Sequence, residues 1–274
     1  MKYIHVLKVG YFGEPGAYSN IAAMQMIQGD YVPLESVRAV FDALSNKEIH
    51  AGVVPIENSI EGSVNQTYDF LFKSDFSIVK EHYLRIEHCL IARQGVKLGD
   101  IKYVLSHPQA LSQCSEFIYN HGIKPVGEYD TAGSVKIVKN YNKNTYAAIA
   151  SELAARINNM EIIVKNIENT HNNYTRFFLI SENPILPAGH SKISLAFSIV
   201  NRIGGLYNIL KVFNDDNINM TKIESRPIQY NPFNYLFFID IEKNDRSDHA
   251  ISLIRKMTTQ FRVLGTYESA TVPQ

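Results

Sequence analysis

The side chains of this chain best suited to chemistry are amides and hydroxyls with a few acids, gathered in short runs. NNYTRF (172–177) sets Asn173, Thr175 and Arg176 directly before an apolar run, Phe177 to Ile180, that is built to be a buried strand. VPIENSIEG (54–62) places Glu57 beside Asn58, and SHPQALSQC (106–114) opens on Ser106 and sets Gln113 before Cys114. No GxxxxGK[ST], HExxH or GxSxG occurs, and Gly10, Gly13 and Gly16 are spaced GxxGxxG, which does not match the dinucleotide fingerprint. His82 and His88 read as ordinary polar residues of a strand region rather than metal ligands. This inventory suits a reaction on a small anion that needs neither metal nor cofactor.

These residues sit at the ends of predicted elements. Val6–Val9, Ala51–Val54, Ile101–Leu105, Tyr146–Ala150, Ile162–Val164 and Phe177–Ile180 read as strands. Helical patterns lie between them at Ala17–Gln28, Gly62–Phe72, His107–Gly122, Thr131–Asn140 and Ser151–Ile157. Alternation of this kind predicts a mostly parallel α/β sheet. GEPGAYS, PIENSIEGS, SHPQA, YDTAGS and ASE each lead from a strand into a helix through small or hydroxyl residues. In parallel sheets such ends face one side, and helix N-termini there favour a carboxylate or phosphate. Ser19, Ser63, Thr131 and Ser151 are the candidate caps, each worth about 1 kcal/mol.

SENPILPAGHS (181–191) has the Pro and Gly content of a linker. Beyond it the order strand, helix, strand, strand, helix, strand predicts a small ferredoxin-like βαββαβ domain. The whole chain has 274 residues, no net charge and two well-separated cysteines. Those totals argue against a disulfide scaffold and against nucleic-acid or membrane partners, and point to a cytoplasmic protein.

Taken in order, VPIENSIEG, SHPQALSQC, DTAGSV (130–135), AAIASELAA (147–155) and NYTRF (173–177) resemble the signature blocks of the prephenate dehydratase family. GGLYNIL (204–210) and INMTKIESRP (218–227) resemble the ACT domain that follows in that family. The resemblance implies a two-lobed α/β catalytic domain over 1–183 with an interlobe cleft. A linker at 184–191 and an ACT regulatory domain over 192–274 would follow. It begins at the first strand, so the chorismate mutase fused to some relatives is not expected.

The implied reaction removes water and carbon dioxide from prephenate to give phenylpyruvate for phenylalanine biosynthesis. The resemblance assigns Thr175 as the residue closest to catalysis, joined by Glu57, Asn58, Ser106 and Gln113. Glu57, if protonated, is a candidate proton donor. Tyr18, Thr131, Asn173, Arg176 and Phe177 are the implied substrate contacts, although Arg176 should point to the opposite face of its strand from Thr175. Gly204, Gly205, Leu206, Glu224, Ser225, Arg226 and Pro227 are the implied site for phenylalanine as effector, in a homodimer or homotetramer. Gly205 and Tyr207 depart from the commoner Gly-Ala-Leu-Val form of that motif. Arogenate dehydratase shares the chemistry on the aminated substrate, and a non-catalytic amino-acid-responsive binder shares the two-lobed cleft.

Overall fold

The fold is a computed structural model that describes residues 6–183, 185, 191–228 and 235–272. Apart from Ile185 and Ser191, the expected linker lies outside the described residues. In chain order the elements begin β1 (Lys8–Phe12), α1 (Tyr18–Met26), β2 (Asp30–Leu34), α2 (Val37–Ser45), β3 (Ala51–Asn58), β4 (Gly62–Ser63), α3 (Asn65–Lys73) and β5 (Ser77–Arg85). They continue β6 (Cys89–Ala92), β7 (Tyr103–Ser106), α4 (Pro108–Gln113), α5 (Ser115–Asn120), β8 (Lys124–Gly127), α6 (Thr131–Tyr141), β9 (Tyr146–Ala150), α7 (Glu152–Asn158), β10 (Glu161–Val164) and β11 (Tyr174–Ser181). The last six are β12 (Lys192–Ser198), α8 (Gly205–Asp215), β13 (Met220–Pro227), β14 (Tyr235–Glu242), α9 (Ser247–Met257) and β15 (Gln260–Tyr267).

The chain divides into two compact units. One takes in the chain up to Val64 and His82–Phe177, the other Asn65–Glu81 and Phe178–Thr271. The first unit holds two sheets. One runs β2-β1-β3-β11-β5 with β4 beside β3; the other runs β10-β6-β9-β7-β8. Pairings of β1 with β2 and β3, and of β7 with β8 and β9, are parallel. Those of β3 with β4, and of β6 with β9 and β10, are antiparallel, so both sheets are mixed. Parallel neighbours need a crossover, which α1, α2 and the α4–α5 pair supply; β4 needs only a turn at Gly62. Pro33 lies in β2, an edge strand, where a missing N–H is tolerated.

Strand periodicity splits the second sheet's core into two faces. Leu90, Ala92, Val104, Ala147 and Ile149 pack on one with Cys114, while Cys89, Ile91, Leu105, Ala148 and Ala150 pack on the other. Both cysteines are buried as thiols. Burial raises the Cys89 pKa to about 11 and pushes Cys114 higher still. The single helix expected over 107–122 is broken at Cys114, whose backbone leaves helical geometry at φ −114°, ψ 18°.

In the second unit β12 to β15 form a four-stranded antiparallel sheet in the order β13-β14-β12-β15, the ferredoxin-like arrangement expected from the sequence. Ile209, Phe213, Ala250 and Ile254 of α8 and α9 pack on Ile193, Leu195, Phe197, Ile239 and Ile241. Helix α3 also belongs to this unit. Its Tyr68 stacks on Phe238 at 4.6 Å between ring centroids, and Asp69 pairs with Arg226 at 3.1 Å. Arg262 donates to the carbonyls of Leu71, Phe72 and Phe76, satisfying acceptors at the α3 C-terminus. Among the described residues, no helix is long and apolar enough to cross a membrane.

Candidate active site

Within the first unit the strand ends that carry the candidate residues converge on a cavity of about 220 Å³. Phe12 and the turn into α1 supply Ala17, Tyr18 and Ser19; β3 supplies Asn58; and β11 supplies Thr175 and Phe177. The other sheet's connections add His107, Gln109, Ala110 and Gln113, then Tyr129, Asp130 and Thr131. Thr175 and Phe177 face the cavity because they are two apart on a strand.

The wiring of Thr175 follows from Asn58. The Asn58 Oδ1 accepts the backbone N–H groups of Ile60 and Glu61, both at 3.0 Å. This fixes the amide, so Nδ2 must face the other way. It donates to Asn173 Oδ1 at 2.7 Å, to the Tyr174 carbonyl at 3.2 Å and to Thr175 Oγ1 at 3.0 Å. Thr175 is therefore an acceptor toward Asn58, and its own hydroxyl hydrogen is left to point elsewhere. The cavity it lines is where a substrate would meet that hydrogen.

Behind this pair runs a chain of buried polar groups. Asn173 Nδ2 donates to Gln113 Oε1 at 3.1 Å, and His88 Nε2 lies 2.9 Å from the same oxygen. Tyr18 stands at the far end, its hydroxyl 2.8 Å from His88 Nδ1 and 2.7 Å from the Glu87 carbonyl. Burial lowers the His88 pKa against the raising effects of Gln113 and Glu168, so the ring is neutral near pH 7 and carries one N–H. That hydrogen belongs on Nε2, which donates to Gln113, while Nδ1 accepts from Tyr18. Burial also holds the Tyr18 hydroxyl protonated. With Oε1 taken twice, Nε2 is the Gln113 group left to donate into the cavity.

Several expected residues lie elsewhere. Glu57 alternates with Asn58 along β3 and does not line the cavity; it pairs across from Ser63. Ser106 is fully buried and donates to the Ile149 carbonyl at 2.7 Å, tying β7 to β9. Arg176 is buried on the opposite face of β11 from Thr175, with its guanidinium 5.8 Å from the Tyr83 ring. Asn173 stands behind the wall as a link in the network.

The caps also differ. Asp130 rather than Thr131 caps α6, accepting from Gly133 N at 2.6 Å. Ser19 donates to the Phe12 carbonyl, and Ser63 precedes α3 without being its first neighbour. Ser151 does cap α7, and it donates to the Gly16 carbonyl at 2.5 Å instead of lining the cavity. Sequence reasoning missed His88, because its partners Tyr18 and Gln113 are remote in the chain. His107, Gln109, Tyr129 and Asp130 lie inside segments already singled out, where their turn geometry was not legible.

The N-termini of α1, α4 and α6 all border the cavity, so backbone N–H groups and partial positive charge meet there. Hydroxyl and amide donors on one side and helix ends on the other define a binding cleft of a two-lobed α/β protein, suited to a small carboxylic acid. Comparison with known proteins agrees. The family model for prephenate dehydratase matches residues 9–185. A prephenate dehydratase from Methanocaldococcus jannaschii is 40% identical over 263 residues, covering 92% of this chain and 94% of that one. An Arabidopsis thaliana chloroplastic arogenate dehydratase/prephenate dehydratase is 38% identical over 276 residues, covering 95% of this chain and 72% of its own length.

Two solved structures superpose with a TM-score of 0.88 each. One is a prephenate dehydratase from Arthrobacter aurescens in complex with L-Phe, 27% identical, covering 97% of this chain and 93% of that one. The other is GqqA, described as a quorum quenching acylase, 30% identical, covering 96% of this chain and 98% of its own. The chain belongs to the prephenate dehydratase family.

Proposed function

We propose that the chain converts prephenate to phenylpyruvate. Electrons of the bond to the departing ring carboxylate move into the ring as carbon dioxide leaves. The ring hydroxyl leaves at the opposite carbon and takes up a proton to become water. Aromatisation drives the step, so what the protein must supply is a donor for the leaving oxygen and a hold on the carboxylates. The observation that carries this reading is the Asn58–Thr175 hydrogen bond, because it turns the threonine hydroxyl into a directed donor. Accepting from Asn58 also polarises the Thr175 O–H and strengthens what it donates. A threonine hydroxyl is too weak an acid to give up its proton outright, so its role is to stabilise charge as it builds on the leaving oxygen. Glu57, whose side chain does not line the cavity, is not well placed to be the donor.

The N-termini of α1 and α6 are suited to the two carboxylates, with Gln113 Nε2 and Tyr18 as further contacts. The acylase name of one neighbour finds no counterpart here: Ser19, which lines the cavity, donates to the Phe12 carbonyl and not to a histidine.

The ferredoxin-like sheet with Gly204–Leu206 before α8 and Glu224–Pro227 on β13 supports a regulatory ACT domain that binds phenylalanine. The L-Phe complex of the Arthrobacter protein supports the choice of effector. Gly204 has φ +76°, which favours glycine at the turn where backbone N–H groups would receive the amino acid's carboxylate. Self-association through that domain, as a homodimer or homotetramer, accompanies this reading.

The test is a product assay on purified protein with prephenate and with arogenate, beside Thr175→Ala. Prephenate turnover should fall about 10²–10³-fold in the variant, the range for loss of one critical donor. Near-normal turnover by a folded Thr175→Ala protein would remove Thr175 from the mechanism.

A further inference from the structure

Among the described residues that line the cavity, Asp130 is the one carboxylate, and none is a lysine or arginine. This is an odd lining for a substrate that arrives as a dianion. The nearest cation, Lys136, is committed to Glu14 at 2.5 Å. Asp130 itself is half-occupied: Oδ1 takes the Gly133 N–H at the head of α6, while Oδ2 is turned toward the turn at Gly13. A Cβ built on Gly13 would stand 3.5 Å from that oxygen and 3.0 Å from the Ala17 Cβ. Gly13 also has φ +102°, so both its backbone and the space beside it call for glycine. The carboxylate thus keeps an open acceptor at the rim shared by the α1 and α6 N-termini, where the reading above seats the substrate's carboxylates.

An acceptor at that point distinguishes two side chains. A 2-oxo acid offers a carbonyl oxygen, another acceptor, which Asp130 repels. A 2-amino acid offers an ammonium, with positive charge and three N–H donors, which Asp130 can receive. Resting on the dehydratase reading, we infer that Asp130 is a specificity-determining residue that admits the 2-amino form of the substrate, arogenate, and gives this chain arogenate dehydratase activity alongside the prephenate reaction. Burial raises the Asp130 pKa, yet the Gly133 and Ala132 N–H groups and His107 oppose that rise. The carboxylate is thereby kept available as an anion.

The experiment is a comparison of kcat/KM for arogenate and prephenate, in wild type and in Asp130→Asn. Asparagine caps helices about as well as aspartate, so this exchange removes charge while keeping the start of α6. Asp130→Ser, a second capping residue, is measured as well in case the first variant folds poorly. The arogenate-to-prephenate ratio of kcat/KM should fall on the order of 10–100-fold, the value of a hydrogen bond to a charged group. An unchanged ratio in a folded variant overturns the inference. So does a wild-type protein that turns over prephenate but not arogenate, which leaves the dehydratase reading standing. Turnover of neither substrate by folded wild type sinks that reading, and the role of Asp130 with it.

Discussion

At the scale of single residues, the direction of each hydrogen bond matters more than which residues are present. Asn58 and Thr175 were legible because their runs are distinctive, but the sequence gives no sign that Asn58 donates and Thr175 accepts. That direction is set by the backbone N–H groups of Ile60 and Glu61, two and three residues away. His88 was misread for a related reason. Its contacts lie 70 residues back at Tyr18 and 25 ahead at Gln113, and local spacing carries no trace of either.

The burial of His88 has a measurable cost in acid. Its folded pKa is lowered below the ordinary 6.5, so the unfolded chain binds the proton first. The stability it contributes is complete above about pH 6.5 and is lost progressively as pH falls below that value. Urea unfolding of wild type and His88→Gln at several pH values between 5 and 8 should show a shallower acid loss in the variant. Parallel pH dependences would mean that His88 is not held neutral.

At the scale of elements, much of the architecture was legible from periodicity. Strand β9 and helix α6 fall nearly where expected, as do β14 and α8. Absent from that reading are β2 and α2. Pro33 masks β2, while α2 carries its own signal in Val37, Val40, Phe41 and Leu44, all buried, behind the cap Ser36. The mixed strand directions were not legible, since alternation of strands and helices says nothing of short antiparallel additions such as β4 and β10. Nor does it reveal how closely elements approach. Gly16, in the turn before α1, has φ +95°, and a Cβ there would come within 2.6 Å of the Ala154 Cα on α7. Gly16→Ala combines a left-handed backbone with an overpacked contact and should destabilise the protein by about 2–4 kcal/mol. Chemical denaturation measures this, and a change within about 0.5 kcal/mol, the usual range for neutral surface changes, would show that the turn relaxes.

At the scale of the whole molecule, the units are not simply consecutive in the chain. Asn65–Glu81 leaves the first unit directly after β4 and packs in the second, where Arg226 meets Asp69. The motif expected to read phenylalanine thus has a partner on α3, a helix that sequence reasoning treated only as part of the alternating pattern. If phenylalanine is the effector, it should inhibit wild-type turnover, and Arg226→Ala should weaken that inhibition 5–150-fold, the span of a coupling of about 1–3 kcal/mol. Titrating activity against phenylalanine in both proteins tests this, and equal inhibition curves would remove Arg226 from the response.

The two thiols, finally, give the second sheet a built-in stopwatch. Cys89 and Cys114 lie on its opposite faces, closed off from solvent and held protonated by burial. An alkylating reagent cannot reach either sulfur in the closed protein, so each modification event counts an opening of that face. Because the faces carry one reporter each, separate labelling rates would show whether the lobe breathes from the helix side of α4 and α5, from that of α6 and α7, or from both at once.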